Sequence, residues 1–414
     1  MARVLAYTSP ARGHLFPLTP ILDELHRRGH DIAVRTLASE VPLMTGRGFS
    51  AAPISARVEA IELQDWRARS PQKALAAAVR GFCARADFDA ADLRDAIRDE
   101  QPDVVLVDIN AWGALAAAEQ WGGPWAAFCP YPIALRSPQV PPFGPGLPPA
   151  RGALGRARDT LLRPLVLGTI EKQMLPPLNM VRTGLDLPAL GHADQLFRRL
   201  PLLIYMTAEP FEYPRTDWPD NVVMVGPCDW EPASETPAWL ADIEEPIVLV
   251  TTSSEFQDDG RLVKAALEGL ADQPFHVVAT LPSGEPADYY IPSNAHVERF
   301  LAHGPLLDRA VTHGGMGSTQ KALARGVPVC AVPFGRDQLE VARRVQVAGA
   351  GTRLAARRLD PDRLRSKIAE AIALTEGARR VAAAFKAAGG PPAAATAIEV
   401  RLLALKADPL RPSP

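Results

Sequence analysis

The chain is predicted to be an α/β protein built on two doubly wound parallel sheets, and three observations lead there. Short β-branched runs alternate with longer alanine- and arginine-rich helical stretches along nearly the whole sequence, the pattern of parallel strands joined by crossover helices. The 414 residues exceed the roughly 250–300 at which a single hydrophobic core stops growing. Midway, prolines crowd at Pro210, Pro214, Pro219, Pro227, Pro232 and Pro237, and neither a helix nor a central strand can run through them, so the chain divides within 210–237.

The predicted strands of the first half are residues 4–8, 32–36, 104–107 and 125–128; those of the second are 247–251, 276–280, 311–312 with its leading residues, and 329–332. After the first strand, Leu18, Ile21, Leu22 and Leu25 recur at i, i+3, i+4 and i+7, which makes one apolar helix face. Pro17 and Pro20 suit a first turn and Gly29 a stop, so the spacing predicts a helix over 17–28. A second proline-rich stretch, 130–149, reads as a long surface loop of the kind that binds ligands. Residues after Asp408 read as a frayed tail.

Composition removes several function classes. A formal charge of -2, from 45 basic and 47 acidic residues, gives no broad footprint for nucleic acid or an anionic membrane. Cys83, Cys129, Cys228 and Cys330 lie far apart without a CxxC pair, which argues against a zinc or redox site. No run of about 18 apolar residues is free of charge and proline, so no membrane span is expected. The opening strand has no basic leader before it, which reads as cytoplasmic. His26 and His30, at i and i+4, lack a third ligand nearby and read as solvated. The Asp-x-Asp pairs Asp87/Asp89 and Asp360/Asp362 lie in helical context and read as solvated charges too.

Two constellations carry chemistry. His14 stands where the first strand hands over to its helix, and Asp108 ends the strand over 104–107. Both belong at the carboxyl edge of a parallel sheet, where ligand crevices open. A carboxylate there can fix the imidazole tautomer and leave the other ring nitrogen free as a general base; a lone histidine that merely packs or hydrogen-bonds is the other reading of these residues. In the second half, Val311-Thr312-His313-Gly314-Gly315-Met316-Gly317-Ser318-Thr319 runs strand, glycine turn, helix. Backbone N–H groups, the helix dipole and the hydroxyls of Ser318 and Thr319 converge there on a site suited to a diphosphate, to which a protonated His313 can add a charge-assisted bond.

Together these stretches resemble the family 1 glycosyltransferases of the GT-B fold, particularly bacterial enzymes that decorate natural products. The resemblance rests on Gly13-His14 with Pro17 and Arg28-Gly29-His30, on Pro102-Asp103 leading to Asp108, and on His313 through Pro333 followed by Asp337-Gln338. It implies an N-terminal acceptor-binding domain over 1–215, a linker over 216–237, a C-terminal nucleotide-sugar domain over 238–390, and a C-terminal helix and tail over 391–414 that can pack back on the first domain. It further implies that His14 is the general base and Asp108 the acid that orients it. Ser253, Ser254, His313, Gly315, Gly317, Ser318 and Thr319 then form the donor diphosphate site. Phe300 stacks on the nucleobase, whose edge the backbone at Leu301 reads, and Asp337 and Gln338 hold the donor sugar.

The function so implied is inverting, metal-independent transfer of a sugar from a nucleotide-diphosphate donor to a hydroxyl of a small hydrophobic natural-product acceptor. No cofactor is implied, because the nucleotide sugar is a co-substrate; homodimerisation is left open. Three positions depart from the pattern. Lys321 stands where many relatives carry a ribose-binding glutamate, Val341 where an asparagine is common, and Glu255 adds a charge to the turn after residue 251. An ammonium has no acceptor capacity, so Lys321 removes the main reason to favour a ribose with its 2′-hydroxyl and points to a thymidine-type donor over a uridine one. A sugar-nucleotide epimerase of the same fold, or a non-catalytic nucleotide-binding homologue acting on a partner protein, are the alternatives.

Overall fold

The computed structural model describes residues 1–68, 71–232, 235–253, 259–307, 309–312 and 314–404. Ser254, Glu255, His313 and the tail after Asp408 therefore lie outside the described residues.

Two parallel sheets organise the chain. The first contains β1 (Arg3–Tyr7), β2 (Asp31–Thr36), β3 (Ser50–Pro53), β4 (Val104–Asp108), β5 (Trp125–Cys129), β6 (Leu203–Tyr205) and β7 (Val222–Met224), in the order β3-β2-β1-β4-β5-β6-β7. The second contains β8 (Ile247–Thr251), β9 (His276–Thr280), β10 (Ala295–Glu298), β11 (Arg309–Thr312), β12 (Val329–Ala331) and β13 (Gly351–Arg353), in the order β10-β9-β8-β11-β12-β13. β4, β5, β8 and β9 are buried along their whole length, as strands covered on both faces must be. In each sheet the order reverses once, between β1 and β4 and between β8 and β11.

The first half carries α1 (Arg12–Arg27), α2 (Val41–Thr45), α3 (Ala56–Glu59), α4 (Pro71–Glu100), α5 (Trp112–Trp121), α6 (Gly152–Thr183) and α7 (Gln195–Arg198). The second carries α8 (Gly260–Leu270), α9 (Met316–Ala324), α10 (Gln338–Val347), α11 (Pro361–Ile372) and α12 (Thr375–Ala387), after which α13 (Gly390–Ile398) returns to the first. There Ala394, Ala395, Ile398 and Leu402 share a core with Leu18, Ile21, Leu22 and Leu25 of α1. Arg28 and His30 secure the return through Glu399, at 2.5 and 3.0 Å.

Four local expectations are corrected. The first helix begins at Arg12, five residues before the predicted start, with Pro17 and Pro20 inside it. His14 thus sits on the first helical turn, its N–H donating to Ala11 O at 3.0 Å. His30 is buried, held by Ala2 N and Glu399, because the returning α13 covers it. Asp89 is also buried, accepting a bond from Tyr7 Oη at 3.1 Å, since it lies on the face of α4 that packs on the sheet. The proline-rich stretch 130–149 is largely covered, with Ile133, Leu135 and Ser137 buried. It runs between the halves: Gly144 N and Gly146 N donate to Glu340 Oε1 on α10, at 2.7 and 2.9 Å. β7 falls inside the 216–237 stretch as an edge strand of the first sheet, the place where flanking prolines are tolerated.

Candidate active site

Parallel doubly wound sheets open a crevice at the carboxyl ends of their strands wherever the strand order reverses. His14 follows β1 and Asp108 ends β4, the two strands flanking the first reversal. Ser253 and the 314–319 turn follow β8 and β11, which flank the second.

At the first crevice His14 Nδ1 lies 2.9 Å from Asp108 Oδ1. Asp108 is fully buried. Its Oδ2 accepts from Ser9 N at 3.0 Å and Ser9 Oγ at 2.6 Å, and its Oδ1 also accepts from Asn110 N at 2.9 Å. Burial opposes ionisation of this carboxyl. The His14 charge and the donated bonds outweigh that cost and hold it below the ordinary carboxylate range. A carboxylate so fixed keeps the imidazole proton on Nδ1 and points the Nε2 lone pair outward. Asn110 Nδ2 stands 3.4 Å from that Nε2, and Tyr131 Oη donates to Asn110 Oδ1 at 2.7 Å. Ser9, Asn110 and Tyr131 were not read from the sequence. Asn110 carried one signal, because an Asp commonly accepts from the backbone N–H two residues on.

At the second crevice the turn before α9 is tight. Gly314 has a φ of 87°, and a Cβ there would sit 3.4 Å from Gln338 Cβ and O, so the turn packs on the start of α10. Gly315 precedes α9, Gly317 faces open space, and Ser318 Oγ donates to Gly315 O at 3.3 Å. Thr319 is buried, its Oγ1 without a hydrogen-bond partner among the described residues. Ser253 is buried and donates its N–H to Asp259 Oδ2 at 2.6 Å.

Gln338 is buried and spends its carboxamide oxygen on Phe334 N and Gly335 N, at 2.7 and 3.0 Å. Asp337 is half-buried, and desolvation raises its carboxyl above the ordinary range against the opposing charges of Arg336 and His14. His14 and Asp337 therefore lie within electrostatic reach across the two halves. Arg336 holds a left-handed φ of 51° and forks onto Asp65 of the first half, at 2.8 and 2.9 Å.

Phe300 is 52% exposed while Leu301 is buried, so the ring is available to a ligand and its neighbour anchors the segment. Val341 belongs to the apolar core. Lys321 Nζ is 2.6 Å from Glu231 Oε2 and 3.4 Å from Asp229 Oδ1. Glu231 also accepts from His303 N and Gly304 N, at 3.1 and 3.0 Å. Lys321 thus ties α9 to the inter-half segment and to the turn beyond Phe300.

Twin doubly wound sheets, with a His–Asp pair at one reversal and a glycine turn with a helix start at the other, place the chain in a class of two-sheet α/β proteins whose ligand crevices open at the strand ends. The family described as Erythromycin biosynthesis protein CIII-like, C-terminal domain, matches residues 264–400. The chain is 33% identical to 4'-demethylrebeccamycin synthase of Lentzea aerocolonigenes over 398 residues, covering 89% of this chain and 91% of that protein. It is 26% identical to demethyllactenocin mycarosyltransferase of Streptomyces fradiae, covering 96% and 86%. Its fold matches the Streptomyces sp. SF2575 glycosyltransferase SsfS6, complexed with thymidine diphosphate, with a TM-score of 0.68, 19% identity and coverage of 97% and 100%. The chain belongs to the family 1 glycosyltransferases of bacterial natural-product biosynthesis, and its fold is GT-B. Among the described residues no helix is long and apolar enough to cross a membrane.

Proposed function

We propose that this glycosyltransferase inverts the anomeric centre of a thymidine-type nucleotide-diphosphate sugar in one displacement, without a metal ion, onto a hydroxyl of a hydrophobic natural product. The observation that carries the reading is the buried, four-bonded Asp108 on His14 Nδ1. A histidine held this way is a base at Nε2, and the geometry serves little purpose for a histidine that only packs.

Residues 1–215 would hold the acceptor and 238–390 the donor. His14 Nε2 takes the proton from the acceptor hydroxyl. The oxygen forms its bond to the anomeric carbon from the face opposite the leaving group, and the bond to the nucleoside diphosphate breaks with its electron pair. The start of α9 at Gly317, Ser318 and Thr319, with Ser253, Ser254 and His313, receives the charge of the departing diphosphate. Asp337 is the partner for donor sugar hydroxyls, joined by the Gln338 amide. Phe300 offers its exposed ring to the base, with the Leu301 backbone at its edge. Lys321, engaged by Glu231 and Asp229, brings no carboxylate from α9 to the ribose, which supports the thymidine-type donor.

His14→Ala is expected to cut turnover by roughly two to four orders of magnitude, the usual contribution of a general base, while calorimetry still registers binding of thymidine diphosphate. Turnover near that of the unaltered enzyme would remove His14 from the mechanism.

A further inference from the structure

The nitrogen assigned to take the proton is already in contact with another group. Asn110 sits on the turn between β4 and α5, and its backbone N–H donates to Asp108 Oδ1 at 2.9 Å. That bond fixes the turn and brings the side-chain Nδ2 to 3.4 Å from His14 Nε2. The Tyr131 hydroxyl, 2.7 Å from Asn110 Oδ1, sets which end of the amide faces the ring. Since Asp108 holds the Nδ1 proton, Nε2 presents a lone pair, and an amide N–H is its complement. Tyr131 also packs on the ring, with centroids 5.6 Å apart.

We propose that Asn110, oriented by Tyr131, is a positioning residue for the base. It keeps the imidazole neutral and its plane fixed until an acceptor hydroxyl displaces the amide from Nε2. The inference rests on the reading of His14 as the base.

The charges facing His14 make the direction of the effect definite. Asp108 from the end of β4 and Asp337 from the start of α10 both favour the imidazolium. Burial pushes the Tyr131 phenol well up, so it stays neutral. The Asn110 amide opposes the two carboxylates by donating to the unprotonated nitrogen. Without it, His14 takes up a proton more readily, and the acid limb of kcat/KM moves to higher pH.

The test is a ¹⁵N-histidine NMR titration of the full chain, with the His14 signal assigned by its loss in His14→Ala. In Asn110→Ala the midpoint should rise by about 0.5–1 pH unit, the size of one neutral hydrogen bond. In Asn110→Asp it should rise further, because a carboxylate replaces the donor. Tyr131→Phe, which leaves the β4–α5 turn intact, should fall between the unaltered protein and Asn110→Ala and stands in if the Asn110 variants fail to fold. With a hydroxylated aromatic acceptor that the unaltered enzyme uses, the acid limb of kcat/KM should follow the same order while KM for the donor stays unchanged. Equal midpoints in all four proteins would overturn the proposal. Full turnover by His14→Ala would instead overturn the role of His14 as base, and the midpoints distinguish the two failures because they require no turnover.

Discussion

Asp89 shows how burial sets the behaviour of a single side chain near the site. Its carboxyl is pushed up to about 8, chiefly by burial, against the bond from Tyr7 Oη and the charge of Arg85. A group whose folded value exceeds its unfolded one, here 3.8, holds its proton more tightly when folded. Its contribution to stability is full below about 4 and declines as pH rises towards 8. Asp89→Asn keeps the acceptor for Tyr7 and removes the ionisation, so relative to the unaltered protein it should raise Tm much more at pH 9 than at pH 5. An equal difference at both values would show that the carboxyl does not titrate in the folded protein. At this scale the meeting of His14 with Asp108 was legible, because residues at or just beyond the ends of neighbouring parallel strands share the sheet edge. The burial of Asp89 was not, since a 30-residue helix with small residues around its circumference gives no sharp inside face. Nor were Ser9 and Tyr131, whose roles depend on turn geometry rather than on spacing.

Among the elements, the stretch 130–149 acts as a strap from the first half onto α10. Glu340 accepts from Gly144 N and Gly146 N, and Arg343 Nε donates to Gly146 O at 2.8 Å. Gly146 has a φ of 60°, and a Cβ there would lie 2.4 Å from Leu339 O. Gly146→Ala therefore combines left-handed strain of about 1–3 kcal/mol with a backbone clash that the strap relieves only by lifting from α10. Urea denaturation should show a loss of at least that size, and an unchanged midpoint would mean that the strap is not held as described. Glycine and proline content announced the loop, since both interrupt regular structure. Its covering could not be read, because the partner Glu340 lies 194 residues from Gly146. The strands β1, β2, β4, β5, β8 and β9 were legible for the opposite reason, as short β-branched or apolar runs bounded by turn residues. β7, three residues between prolines, offered too short a signal.

Across the molecule, the two halves meet through buried chemistry as well as through the connecting chain. Arg344 on α10 forks onto Glu212 of the first half and pairs with Glu340 at 2.8 Å, and Gln320 on α9 donates to Met206 O at 2.8 Å. Arg336 and Asp65 join the halves beside Asp337, and α13 closes back on α1. These contacts tie together the halves that carry His14 and the turn before α9, an arrangement that suits the proposed single displacement, with base and acceptor on one side of the anomeric carbon and the leaving diphosphate on the other. The anomeric configuration of the product reads that arrangement directly. With an α-linked thymidine diphosphate sugar and a hydroxylated aromatic acceptor, proton NMR of the purified product should show the β-glycoside, formed equally well in the presence of a chelator. An α-glycoside would contradict one displacement with His14 as base.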